Sequence, residues 1–308
     1  MKARAKWPLL GATALLLVGL CLAQEWSGRG PGRRGRFRES LEAPYVKTEG
    51  GDLVNEDTVR TARETASHST GTPNWTNEPG FEDDVFTFAR IIYKFDRRGP
   101  GWMAWINDYP DSDLNLSYRL QQLTSTKVDP NGRELKLTNA DLFNYPFIYM
   151  VKPGRMELRD EEVPILQKYL AAGGALMADD FWGDREWNSF ERQIKRVLPN
   201  RQWVELPMTH EIFRFPFPLK GPKNNLQVPS IHRWEGSGRS YRNEDDMHDM
   251  HVRAWLDDKQ RVMVIATHNT DNGDGWEQEG ENHDYFQIFS EQRAYPLAIN
   301  IIYYVMTH

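Results

Sequence analysis

Gly173-Gly174-Ala175-Leu176-Met177-Ala178-Asp179-Asp180-Phe181-Trp182-Gly183 is the stretch that decides the fold class. Paired glycines end a helix, because glycine adopts the left-handed backbone that closes a last turn. The apolar run that follows, Ala175 to Ala178, is too short for a buried helix and suits a strand covered on both faces. Two aspartates and an aromatic loop then lead into a helix over residues 186–197, closed off by Pro199. The same unit occurs just upstream. Phe147-Ile148-Tyr149-Met150-Val151 is an unbroken apolar run stopped by Lys152-Pro153-Gly154. Asp160-Glu161-Glu162 places negative charge on the next helix N-terminus. Val163, Leu166 and Leu170 supply that helix's inner face, and Pro164 is tolerated because it sits in the first turn.

Working outward, residues 85–95 are rich in β-branched and aromatic residues and read as a strand broken by Arg97-Arg98-Gly99-Pro100-Gly101. Asp113 is placed to cap a helix on which Leu116, Leu120 and Leu123 recur at helical spacing. Asp129-Pro130-Asn131-Gly132 reads as a turn before a short strand at 134–137. Trp203-Val204-Glu205 and residues 261–267 are further strands, and an apolar helix over 294–306 closes the chain. Residues 206–260, rich in Pro, Asn, Asp and Gly, read as a long insertion over one edge or mouth of the sheet. Strands alternating with helices of 10–12 residues predict an α/β three-layer sandwich with a mostly parallel central sheet.

The chain begins like an export signal. Lys2, Arg4 and Lys6 precede an uncharged run from Pro8 to Ala23, and Cys21-Leu22-Ala23 offers small residues for cleavage before Gln24. That run is 16 residues, short of the roughly 20 a spanning helix needs. The expected organisation is a signal peptide at 1–23, a flexible tether at 24–80 and a single domain at 81–308. The tether combines an Arg/Gly-rich run, Trp26 to Arg38, with a polar stretch that has little apolar surface to offset ordering entropy. Cys21 is the only cysteine, so cleavage leaves none. Disulfides, thiolate ligands and a cysteine nucleophile are then excluded together. Losing three cations takes the formal charge from −6 to −9, a poor balance for nucleic-acid binding. The address is periplasmic or extracellular, with no membrane span in the mature chain.

Three loops, each after a predicted strand, combine aspartate with tryptophan. They hold Asp108, Asp111 and Asp113; Asp179, Asp180, Trp182 and Asp184; and His268, Asn269, Asp271, Asp274, Trp276 and Glu277. In a parallel sheet the carboxyl ends of all strands point one way, so these loops are expected to line a common cleft. Carboxylates and indole faces suit a polyol or glycan, and carboxylates also suit a hard cation such as Ca²⁺ or Mg²⁺. Blander roles compete. Asp113 reads first as a helix cap, Asn272-Gly273-Asp274-Gly275 as a tight turn, and Trp182 and Trp187 as core. Adjacent side chains on a strand alternate, so at most one of Asp179 and Asp180 should face the cleft. His248 and His251 lack a third ligand and read as a polar loop. No metal or cofactor is assigned, no catalytic residue is identified, and no Walker loop, nucleophile elbow or dinucleotide fingerprint occurs.

The motifs Trp105-Ile106-Asn107-Asp108-Tyr109-Pro110 with Arg119-Leu120, Gly173 to Gly183 as quoted, His268-Asn269-Thr270-Asp271 with Gly273-Asp274-Gly275-Trp276-Glu277, and Tyr295-Pro296-Leu297-Ala298-Ile299-Asn300 together resemble the bacterial family called domain of unknown function 4159. The resemblance covers residues 84–308. It implies a fold like that of class I glutamine amidotransferases, a flavodoxin-like sandwich, and no established activity. Active amidotransferases carry a cysteine on the turn after a glycine-led strand. Here that strand runs into Asp179-Asp180, so a thiol-dependent glutaminase is excluded. Three functions fit: a non-catalytic ligand-binding domain of the cell envelope, taking a small molecule or glycan; a carboxylate-dependent hydrolase or lyase on a glycan or polyol; or a structural partner of an envelope protein, docking through a Trp-rich face.

Overall fold

The computed structural model describes residues 44–80, 84–95, 104–242 and 244–308. The expected signal peptide and the Arg/Gly-rich run lie outside them. Among the described residues no helix is long and apolar enough to cross a membrane.

The strands are β1 (Tyr45–Lys47), β2 (Leu53–Asn55), β3 (Ala89–Ile91), β4 (Arg133–Leu135), β5 (Phe147–Val151), β6 (Ala175–Phe181), β7 (Trp203–Glu205), β8 (His251–Leu256) and β9 (Val262–His268). The helices used below are α1 (Asp111–Leu123), α2 (Glu162–Ala171), α3 (Gly183–Val197), α4 (Ile231–Ser237), α5 (Asn272–Glu277) and α6 (Tyr295–Thr307). β1 and β2 form a small antiparallel ribbon. The other strands make one sheet in the order β4-β3-β5-β6-β9-β8-β7. β4 through β9 in that order are parallel, and β8 and β7 extend the sheet antiparallel. Numbered along the chain, the five parallel strands run 2-1-3-4-5, the order of flavodoxin-like doubly wound sheets.

Side-chain alternation on the central strands feeds two cores. Ile148, Met150, Leu176 and Ala178 pack with Leu166 and Leu170 of α2 and Phe190 and Ile194 of α3. Phe147, Tyr149, Val151 and Met177 face the other way, onto Leu116 and Leu120 of α1 and Leu297 and Ile301 of α6. The result is the expected three-layer α/β sandwich, and every residue of β5, β6 and β9 is buried. The glycines end α2 as expected. Gly173 has φ +114°, which a side chain would strain, and Arg261 donates to the carbonyls of Leu170 and Gly173.

Several boundaries move. The 85–95 strand shrinks to β3, flanked by isolated bridges at Phe86 and Phe95. The insertion ends at residue 250 rather than 260. β8 lies inside the range assigned to it, and hairpins into β9 through a turn at Gln260 (φ +66°). Its remainder packs on α6, where Asn300 Nδ2 donates to Ile212 O at 2.8 Å. Residues 44–80 belong to the compact unit 44–308 rather than to a flexible tether. Their polar side chains are anchored individually. Arg63 Nε donates to Pro130 O, Trp75 Nε1 to Val128 O, and Ser69 Oγ to Glu277 O. A few buried apolar side chains, Val46, Val54 and Ala62, together with these hydrogen bonds secure this segment, so its overall hydrophobic content misjudges it.

Candidate functional site

The site begins with backbone strain. Non-glycine residues with left-handed backbones are costly, about 1–2 kcal/mol each. Five occur among the described residues: Asp108, Lys152, Asp180, Asn269 and Gln260. Lys152 and Asn269 directly follow β5 and β9, Asp180 is the next-to-last residue of β6, and Asp108 lies in the loop between β3 and α1. β3 and β5 are neighbours whose following helices, α1 and α2, cover opposite faces, so this is the point where strand order reverses and crevices form.

The strain re-aims side chains. The pairing of β6 with β9 slips between Ala178 and Phe181, a bulge at Asp179-Asp180. Asp180 has φ +54°, which breaks the alternation that should have turned one aspartate away. Both therefore join the same polar network. Asp179 accepts from Thr267 Oγ1 (2.5 Å), Asn272 Nδ2 (2.8 Å), Gly273 N (3.1 Å) and Tyr149 OH (3.3 Å). Asp180 pairs with Lys152 Nζ at 2.7 Å and accepts from Asn107 Nδ2 and Trp182 Nε1. Asn107 Nδ2 also reaches Asp108 Oδ1 at 2.6 Å, so one amide bridges two carboxylates, one from the loop before α1 and one from β6.

α5 brings the third wall. The expected turn at Asn272-Gly273-Asp274-Gly275 is a short helix capped by Asp271, whose Oδ1 accepts from Asp274 N. Oxygens of Asp108, Asp271 and Asp274 lie within 4.8 Å of one another. Gly273 makes this approach possible. A Cβ there would lie 2.1 Å from Asp108 Oδ2. Gly273→Ala is expected to destabilise the domain by about 1–3 kcal/mol through overpacking. Gly236→Ala, in α4 with open space around it, should stabilise by about 0.5–1 kcal/mol. Urea denaturation of the two variants tests the contrast.

Burial dominates the electrostatics. Asp108, Asp179, Asp180, Asp271, Asp274 and Glu277 are each at most 7% exposed. Burial, and then neighbouring carboxylates, push Asp108, Asp271 and Asp274 well above the usual carboxylate range. Asp179 is raised by burial to about 6, against the pull of its hydrogen bonds from Thr267 and Asn272. For Lys152 burial opposes the charge, but Asp180, Asp271 and Asp108 outweigh it and hold the ammonium protonated.

Residues 67–72 cover the cluster. His68 Nε2 bonds Glu277 Oε1, and its backbone N–H donates to Asp111 Oδ2 at 2.9 Å. Nδ1 lies 3.1 Å from that same oxygen but out of line for a hydrogen bond. The Glu277 hydrogen bond raises His68 to about 9, burial opposing it, with the Glu277 and Asp111 charges adding to the rise.

The expected open cleft is thus a closed carboxylate cluster. It unites Asp108, Asp179, Asp180, Asp271, Asp274 and Glu277, with Asp111 on its rim through His68. Other candidates are engaged elsewhere. Trp276 is fully buried against Phe88 and Tyr149, and Trp182 is 3% exposed beneath Arg242, so neither offers a free stacking face. Asn269 ties Gly183 to the carbonyls of Asp246 and Asp249. His268 pairs with Gly183 O and packs on Phe181 and Trp187. Asp184 is exposed at the start of α3. Asp113 is no helix cap: α1 begins at Asp111, and Asp113 pairs with buried Arg90. His248 packs at a tilt against Tyr241 while His251 contacts Glu205, so they form no pair.

Sequence pattern does not single out Lys152, His68 or Asn107 as site residues. Lys152 had a signal, a lysine ending a strand buried on both faces. Asn107 is the neighbour of Asp108. His68, in a polar stretch with no period, had none.

Among curated proteins no match is found. Residues 87–306, more than half of the 308, match the model of the family described as Domain of unknown function (DUF4159). The strand-end carboxylates lie inside that match and His68 outside it; the chain belongs to this family.

Proposed function

We propose that this is an exported, non-catalytic ligand-binding domain of the bacterial cell envelope, related in fold to class I glutamine amidotransferases, and that its ligand is cationic. The strand order supports the kinship, and the sequence of residues 1–23 supports export. One observation carries the ligand assignment. Six buried carboxyl groups face two cations, Lys152 and His68, and Asp108 Oδ2 is buried with no hydrogen-bond partner. A buried polar group without a partner is costly, and a positive ligand that binds the carboxylate removes that cost. The buried indoles argue against a glycan stacked on tryptophan and against a Trp-faced docking surface.

Thermal unfolding with a panel of divalent ions, primary amines and neutral oligosaccharides tests this reading. A cationic ligand at 100 times its Kd should add about 2.7 kcal/mol, and Asp108→Asn should abolish the gain. Stabilisation by a neutral oligosaccharide, equal in wild type and variant, would sink it.

A carboxylate-dependent hydrolase is the second reading. Asp108, pushed towards its protonated form, stands beside the ion-paired Asp180, the arrangement of a general acid with a general base. It requires turnover that disappears in Asp180→Asn while the fold survives.

A further inference from the structure

We infer that Asp108, Asp271 and Asp274 form a binding site for a hard divalent cation. The inference rests on the reading of the cluster as a cation site and names the ion's class and ligands.

The spacing is the first support. Each of the three side chains offers an oxygen, and these lie within 4.8 Å of one another. Oxygens bound to one Mg²⁺ or Ca²⁺ at about 2.1–2.5 Å stand roughly 3–5 Å apart. The second support is orientation. Asp108 Oδ2 has no hydrogen-bond partner, belongs to a fully buried residue, and points at the turn that carries the other two ligands. Its closeness to the position of a Gly273 Cβ shows this direction. The third is the supporting layer. Asn107 Nδ2 holds Asp108 Oδ1 (2.6 Å), Asp274 N holds Asp271 Oδ1 (3.1 Å), and Ile231 N holds Asp274 Oδ2 (2.6 Å). One oxygen of each carboxylate is thereby fixed by a neutral donor, as outer-layer partners fix the ligands of metal sites.

The donor set selects the metal. All three ligands are carboxylate oxygens, which suit Mg²⁺, Ca²⁺ or Mn²⁺ rather than the nitrogen- and sulfur-seeking metals. Lys152 does not fill the role, because its ammonium is paired with Asp180. The cost of the site is also visible in the backbone. Asp108 takes φ +59°, and position 273 has no room for a side chain. A simple solvated turn would need neither.

The test uses the full chain stripped with EDTA and titrated calorimetrically with Mg²⁺, Ca²⁺, Mn²⁺ and Zn²⁺. One hard ion per chain should bind. Affinity should fall at least tenfold in Asp108→Asn and in Asp271→Asn, and stay unchanged in Asp184→Asn, whose side chain is exposed outside the cluster. Asparagine is itself a good helix cap, so Asp271→Asn keeps α5. The wild-type titration stands even if a variant fails to fold. If no divalent ion binds while a primary amine still raises the unfolding temperature, the metal inference fails and the cationic-ligand reading survives. If neither acts, both fail. Zn²⁺ binding that ignores both variants would also overturn the inference, since it would place the ion with Glu49, His68 and Glu277 instead.

Discussion

Arg90→Met is expected to destabilise the domain by about 3–5 kcal/mol, the cost of leaving a buried charge unpaired. Arg90 is fully buried on β3, and Asp113, its partner, is 1% exposed. The guanidinium grips Asp113 with Nε at 2.8 Å and with Nη2, in the two-pronged geometry that arginine and carboxylate share. Burial works against the charge, and Asp113 more than offsets it. The same side chain donates Nη1 to the carbonyls of Trp105 (2.7 Å) and Asn107 (3.0 Å). Removing it strands a carboxylate and loosens the loop that aims Asp108. Stability and ligand response should therefore fall together. Arg90→Met/Asp113→Leu should recover much of the stability, because a buried pair replaced by apolar groups is often neutral. Urea denaturation of the single and double variants decides it. A single variant within 1 kcal/mol of wild type would show that Arg90 is not the anchor of this loop.

The second large effect is acid lability from His268. Its ring is 1% exposed, packed between Phe181 and Trp187 and stacked on His251. Burial first, and then the Arg253 charge, lower it from 6.5 to about 3, with the bond to Gly183 O opposing. The folded protein thus keeps this imidazole neutral where the unfolded chain protonates it. A lowered histidine contributes stability that is fully present above 6.5 and is lost as pH falls towards 3. The slope is about 1.4 kcal/mol per pH unit for one proton, on the order of 4 kcal/mol across the window. The raised carboxylates pull the other way, since the folded state binds their protons more readily. The comparison that isolates His268 is wild type against His268→Gln, which keeps a donor towards Gly183. The stability difference should shrink steadily from pH 7 to pH 3. A difference constant with pH would refute the assignment.

Legibility differed by element. β5 and β6 were readable because unbroken runs of five and four apolar residues between helix-breaking signals leave few options in water. β8 was not, because its His-Val-Arg-Ala-Trp-Leu pattern sits in a polar stretch and offers only three buried side chains, Val252, Ala254 and Trp255. Among site residues the aspartates stood out, since several carboxylates at strand ends are chemically conspicuous. His68 stayed hidden because its role comes from a partner 209 positions away, Glu277.

The sequence by itself determined the layered α/β sheet, the strand ends as the place where polar loops gather, and the absence of any cysteine from residues 22–308. Burial periodicity and residue chemistry are local properties, written in order along the chain. Only the tertiary structure decided which carboxylates meet. Alternation along a strand allowed one of Asp179 and Asp180 to face the site, and a bulge with a left-handed Asp180 brought both. It also closed the expected cleft, burying the indoles and setting His68 over the carboxylates. Such convergence depends on backbone angles at single residues and on contacts between distant segments, which no periodicity encodes.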